Sequence, residues 1–216
     1  MQKLASVVVF FLAAGAVSFG QQGQAGARVP TVTYLEGTVT FDGVEASIGD
    51  TVPLGTVVTT SAGSLVDIEF NTRNAIRLSE NTTLVFNPSN LQVGSELRQG
   101  ALTLVLKQLT VGATGQGFLV RTPSATAGVR GTSFFMKVES ATSTYVCACN
   151  GDVQVFGRDG TLARELAASH HKAVHIDTSG SAPQIQEAPR LYHTDADLEG
   201  VAAALGFKID WNVIDH

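Results

Sequence analysis

From Thr31 to about Ile176 the chain alternates apolar and polar side chains in short runs and interrupts itself with turn-forming pairs. Val66, Ile68 and Phe70 alternate with Leu65, Asp67 and Glu69, and Ile76 and Leu78 flank Arg77. Leu102, Leu104 and Leu106 repeat the period, as do Phe134, Met136 and Val138. A period of two is the mark of a strand with one face buried. Asp42-Gly43, Gly49-Asp50, Ala62-Gly63, Asn87-Pro88, Asn150-Gly151 and Asp159-Gly160 punctuate these runs. Turns spaced roughly every 8–12 residues predict an all-β fold, a compact β-solenoid or sandwich of many short strands. No helical stretch separates consecutive strands, which argues against a parallel α/β fold. Charged residues make up only 15% of the chain and glycine contributes 22 residues, a composition that suits strands and tight turns.

The two ends read differently. Lys3 precedes an apolar run from Leu4 to Phe19, with small residues at Ser18 and Gly20, so residues 1–20 are expected to be a cleaved secretory signal. Ala25-Gly26-Ala27 offers a second cleavage site. No later segment is long enough to span a bilayer, so no membrane span is expected after cleavage and the chain is expected in the periplasm. Residues 177–193, rich in Ser, Gly, Pro and Gln, read as a linker. Beyond it Leu198, Val201, Ala202 and Leu205 recur at helical spacing, Thr194 and Asp197 stand at capping-box positions, and Gly206 stands where a helix should stop. Residues 194–216 are therefore expected to form one short C-terminal helix and an apolar tail of Phe207, Ile209 and Trp211. A helix of about a dozen residues is marginal alone and needs the β-domain as a platform. The net charge of −5 and the absence of a basic stripe exclude nucleic acid as an expected partner.

One stretch is more specific than the rest. Arg121-Thr122-Pro123 leads through Ser124-Ala125-Thr126-Ala127 into Gly128-Val129-Arg130-Gly131-Thr132-Ser133-Phe134. Glycines on each side of Val129-Arg130 permit a tight backbone crossing or a positive φ. This stretch resembles the signature of FecR-type domains, and Gly37-Thr38-Val39, Ile48-Gly49-Asp50, Leu54-Gly55-Thr56 and Asn150-Gly151-Asp152-Val153 are similar to the same family. The resemblance covers roughly Tyr34 to Phe156 and places a FecR-like β-domain at residues 31–176. It implies an all-β periplasmic domain that senses or transmits a signal, usually from an outer-membrane transporter to a sigma-factor regulator. Members that control sigma factors carry a cytoplasmic segment and a membrane helix before the domain. The expectation here is a stand-alone secreted member lacking both, acting through a protein partner in the envelope.

Catalysis finds little support, since no nucleophile elbow, metal-hydrolase helix or phosphate-cradling loop is present. Arg130 is the candidate ligand-binding residue, because a guanidinium clamps carboxylates and phosphates. A structural arginine bonding loop carbonyls is the plainer reading. Arg77, Arg98 and Arg121 read as ordinary outward strand positions. Cys147-Ala148-Cys149 precedes Asn150-Gly151, the preferred two-residue hairpin turn. That turn would set Cys149 opposite Asp152, Cys147 opposite Gln154 and Tyr145 opposite Phe156, with Val146, Ala148, Val153 and Val155 on the core face. The cysteines then share one face of one strand, where a strained disulfide, two free thiols or a metal chelate are all open. Four of the five histidines, His170, His171, His175 and His193, follow downstream. If residues 170–175 form a strand, His171 and His175 lie ~13 Å apart and cannot share an ion. The candidate metal ligands are therefore Cys147, Cys149, His170 or His171, and His193, a set that suits zinc or copper. The plainer alternative is that the cysteines pack as small apolar residues and the histidines decorate the surface.

Overall fold

Period-two alternation becomes strand wherever both neighbours can pair, and 53% of the described residues are strand. The computed structural model describes residues 29–71, 73–88, 94–107, 117–157 and 160–214, and at Arg130 and Leu162 the backbone alone. The expected signal segment lies outside the described residues. The strands are β1 (Thr31–Glu36), β2 (Val39–Phe41), β3 (Val44–Glu45), β4 (Val57–Thr60), β5 (Leu65–Phe70), β6 (Asn74–Leu78) and β7 (Thr83–Val85). They continue as β8 (Ser95–Leu106), β9 (Phe118–Arg121), β10 (Thr126–Val138), β11 (Ser143–Phe156), β12 (Leu162–Ala168), β13 (Lys172–Asp177) and β14 (Gln184–Ala188). One helix, α1 (Asp195–Ala204), follows. The strands form a small closed five-stranded barrel with many flanking strands, which is the all-β fold and single C-terminal helix the sequence predicts. Among the described residues no helix is long and apolar enough to cross a membrane.

Two long strands form the spine. β10 pairs with β11 along nearly its whole length, with β9 over Thr126–Val129 and with β8 over Ser133–Val138. In the same way β11 pairs with β13 over Ser143–Ala148 and with β12 over Gly151–Phe156. Both strands change partner at one level, where the register between Arg130 and Phe134 is broken by bulges. Gly131 there has φ 48° and Gly151 has φ 121°, values closed to most side chains. Gly128 is fixed by space instead, since an added Cβ would meet Leu119 Cδ2 at 3.2 Å and Phe156 Cε2 at 3.3 Å. The glycines of the signature thus let two strands bend and swap neighbours.

This overturns the expected hairpin. Asn150-Gly151 lies inside β11, Cys147 pairs with Phe135 and Ala173, and Gln154 pairs with Gly128 and Glu165. The Asn150 amide donates to the carbonyls of Ser169, Asp210 and Val213, so tertiary bonds claim the residue that a turn would have used. Val146, Ala148, Val153 and Val155 do share the core face. They do so because the bulge flips the alternation between 148 and 153, not because the strand folds back.

Further corrections concern Arg77 and the linker. Arg77 forks onto Asp67 across β5 and β6, with Nε and Nη2 each donating at 2.7 Å, and the Asp67 side chain is only 4% exposed. Arg77 Nη1 also reaches the carbonyl of Asp197 in α1. It is a half-buried strut between the outer face and α1, not an ordinary outward strand position. Within the expected linker, residues 184–188 form β14, paired with β13 along the sheet edge.

The helix is as predicted. The Thr194 side chain accepts from the Asp197 amide while the Asp197 carboxylate accepts from the Thr194 amide, and Gly206 follows with φ 80°. Its Leu198, Val201 and Ala202 are buried. What it covers is the outer face of β8, β10 and β11, which is apolar as well: Ala101, Val105, Phe135, Tyr145, Cys147 and Cys149.

Candidate metal centre

Cys147 and Cys149 project from the outer face of β11 and are fully buried free thiols. His171 reaches them from the tight turn between β12 and β13, where its backbone has φ 48° and its amide donates to the Cys149 carbonyl at 3.0 Å. His193 comes from the residue before the helix cap and stacks on Phe135, centroids 4.4 Å apart and planes 15° off parallel. Sγ of Cys149 lies 3.7 Å from Sγ of Cys147 and 3.3 Å from Nε2 of His193. Nδ1 of His171 lies 3.5 Å from Cys147 Sγ and 3.4 Å from His193 Nε2. All four donor atoms fall within 4.8 Å of one another and can hold a metal ion.

The opposite nitrogen of each ring is already engaged. His171 Nε2 sits 2.7 Å from Asp195 Oδ1, and a carboxylate there can only accept. His193 Nδ1 sits 2.7 Å from the Leu191 carbonyl, likewise an acceptor. Each outer nitrogen must therefore carry the hydrogen, which in the neutral ring leaves the inner nitrogen with a lone pair aimed at the thiols. A carboxylate or carbonyl behind each imidazole is the usual support of a metal-bound histidine.

The charges respond to this crowding. The hydrogen bond from Cys149 is the largest influence on Cys147 and, with His171 and His193, pulls its thiol down to about 4 against the effect of burial. Burial foremost, then Cys147, pushes Cys149 well above the ordinary thiol range. For His171 burial works against protonation, yet its bonds to Cys147 and Asp195 win and raise it. Tyr145, beside the cysteines, is raised first by burial and then by Cys147. Its hydroxyl donates to the Pro189 carbonyl at 3.1 Å and accepts from the Leu191 amide at 3.0 Å, which fixes the segment bearing His193.

Of the residues singled out by the sequence, Cys147, Cys149, His171 and His193 converge, and His170 does not join them. Because His171 occupies a turn rather than a strand, His170 points outward, 3.1 Å from Asp195 Oδ2 and half-exposed. His175 lies along β13 with Nδ1 3.0 Å from Glu139 Oε2, outside the cluster. The Arg130 side chain lies outside the described residues. Asp195, an acid in the first turn of α1, is the supporting residue that the sequence alone does not single out. Its adjacency to His171 depends on where α1 docks, and no local pattern could have announced it.

Residues 56–154 match the family model described as FecR protein. This segment is a FecR domain. It runs from the residue before β4 to near the end of β11, so it contains Cys147 and Cys149 while His171 and His193 lie beyond it. No curated protein matches the chain. Among solved structures it is similar to a putative anti-sigma factor from Parabacteroides distasonis, at 16% identity and a TM-score of 0.49, over 61% of this chain and 59% of that one. A second structure of a putative anti-sigma factor from that organism gives 15% and 0.47 over the same shares. The match thus spans about three-fifths of that protein's length.

Proposed function

We propose that this chain is a non-catalytic FecR-domain protein of the cell envelope that binds or senses through a protein partner, and that its Cys/His centre holds a zinc or copper ion. The observation that carries the first part is the FecR domain at residues 56–154, a family whose members are typically non-catalytic. Delivery by a cleaved leader follows from the apolar run after Lys3 and the small residues around Gly20. The metal reading is favoured by one specific observation, the convergence of two thiols and two imidazole nitrogens from three separate segments. Thiolate and imidazole together suit zinc and copper over hard cations.

Intact-mass measurement on the periplasmic fraction tests the compartment: the mature chain should begin at Gln21 or close to Arg28. Retention of Met1 in a membrane fraction sinks the secreted reading. Crosslinking in intact envelopes, quantified against an acidic β-protein control of similar size, should enrich one protein specifically. Equal recovery with bait and control removes the protein-partner reading.

A further inference from the structure

The four donor atoms are close enough together to ligate one small ion. Tetrahedral zinc binds thiolate sulfur at about 2.3 Å and imidazole nitrogen at about 2.05 Å, so a regular tetrahedron has edges of about 3.8 Å for S···S, about 3.5 Å for S···N and about 3.3 Å for N···N. Four of the six separations match: 3.7 Å between the sulfurs, 3.3 and 3.5 Å for two of the sulfur–nitrogen pairs, and 3.4 Å between the nitrogens, with the other two sulfur–nitrogen pairs within 4.8 Å. Two inward nitrogens with lone pairs, 3.4 Å apart, repel unless a proton or a cation stands between them. All four ligands come from the protein and are buried, or nearly so in the case of His171, whose side chain is 8% exposed. A closed S2N2 set belongs to structural zinc rather than to an open catalytic site, and copper prefers other geometries.

The backbone supports the same assignment. Among the described residues five non-glycines have positive φ, and four of these, His171 included, are Asn, Asp or His, the usual occupants. The fifth is Tyr192 at 67°, the neighbour of His193. Tyr192 is a bulky residue out of place there, held by its hydroxyl on Glu139 at 2.8 Å and by Lys137 over its ring. Such departures persist where surrounding structure imposes them, and functional sites are where they gather.

We propose that Cys147, Cys149, His171 and His193 form a structural zinc site whose ion clasps the C-terminal segment onto the FecR domain. This rests on reading the centre as a metal site and adds the ion, its geometry and its consequence. Two ligands lie inside the FecR domain, one in the turn after β12, and one at the entry to α1, so a single ion would add a strong tie to three stretches otherwise joined by a few hydrogen bonds. The helix has 10 residues and sets Leu198, Val201 and Ala202 into the outer face, with Leu205, Phe207 and Ile209 packed beside them, so a short helix held by modest apolar area and a few hydrogen bonds is where an added ion would be felt most. His171 completes the link, since the ring that would bind the ion also anchors Asp195 in the first turn of α1.

The test uses the mature full chain, stripped with chelator under reductant and titrated with zinc alone. Zinc should bind at one per chain, and cobalt substituted for it should give the intense visible bands of a tetrahedral thiolate site. Amide hydrogen exchange of residues 195–205 should slow at least tenfold on zinc addition, while amides of the barrel strands β4 to β6 change less than twofold. A chain that binds no zinc overturns the zinc clasp, and one that also fails to bind copper(I) under the same reductant overturns the metal reading with it. One zinc per chain with unchanged exchange in α1 overturns the clasp and leaves the metal reading standing. Because substituting the buried Cys147 and Cys149 risks misfolding, His193→Phe serves as the second arm: it keeps a ring on Phe135 and removes the nitrogen. It should weaken zinc binding at least 100-fold and abolish the effect on α1. Wild-type affinity in that variant removes His193 from the ligand set and with it the clasp.

Discussion

Phe134 and Phe135 are neighbours in β10, equally buried, and they belong to two differently built regions. Phe134 faces the barrel interior with Ile76, Leu104, Val129, Met136 and Val146, apolar side chains packed on one another. Phe135 faces outward into Tyr145, the two cysteines and His193. The inner region is closed by the sheet itself. The outer one is closed by chain that arrives some 40 residues later, with hydrogen bonds from Tyr145, His171 and Arg77 beside the apolar contacts. An interior filled by strands that pair anyway needs only volume and hydrophobicity. A face covered by a short helix needs specific ties, and those ties are where chemistry can act on this protein.

The comparison can be broken at several points. Phe134→Ala should cost about 3–5 kcal/mol of global stability in a denaturant melt, since a large side chain leaves a cavity that strands cannot collapse. That loss should be the same with zinc or with chelator, and a zinc-dependent loss would mean the two regions are not separable. Arg77→Ala should cost about 3 kcal/mol, because it strands the buried Asp67 carboxylate. It should also speed exchange in α1, whose Asp197 carbonyl it reaches, and unchanged α1 exchange would confine the strut to the barrel.

Gly151→Val sits on the boundary, where β11 changes partner. At φ 121° a β-branched residue is strained, and a loss of about 1–3 kcal/mol is expected. Thermal melts showing no loss would mean the bulge can migrate. Thr194→Ala removes the capping box and should cost about 1 kcal/mol, felt as faster exchange in the first turn of α1 and not as a shift of the barrel.

The smallest effect is one of pH. Burial would raise Glu139, but bonds from Tyr192, Ser143 and His175 outweigh it and hold it below the usual carboxylate range. Its folded pKa lies under its unfolded one, so its contribution is present above the ordinary glutamate range and is lost as pH falls through the folded value. Acid titration of wild type against Glu139→Gln should show the wild type losing its advantage only in that acidic window. Curves that stay parallel would remove Glu139 as an anchor of Tyr192.

How much could be foreseen depended on range. The signature at Arg121–Phe134 was legible because its glycines answer local demands, a close approach to Leu119 at Gly128 and a positive φ at Gly131. The α1 cap was legible because Thr194 and Asp197 bond each other three residues apart. Cys147 and Cys149 were placed together, opposite the valines, by nothing more than strand alternation.

The sequence by itself determined that this is a mostly β protein with a FecR domain, one capped helix at its end, and two thiols on one strand face. Each of those follows from dihedral preference, alternation or capping, which act over a few residues. Only the tertiary structure decided that Asn150-Gly151 is a bulge where a strand swaps partners, that residues 184–188 pair as an edge strand, and that His171 rather than His170 meets the cysteines. Those outcomes depend on which distant segments bury each other, and a carbonyl from residue 210 or 213 can claim Asn150 only after the chain has closed. The choice of partner is a long-range competition, and local pattern cannot rank its candidates.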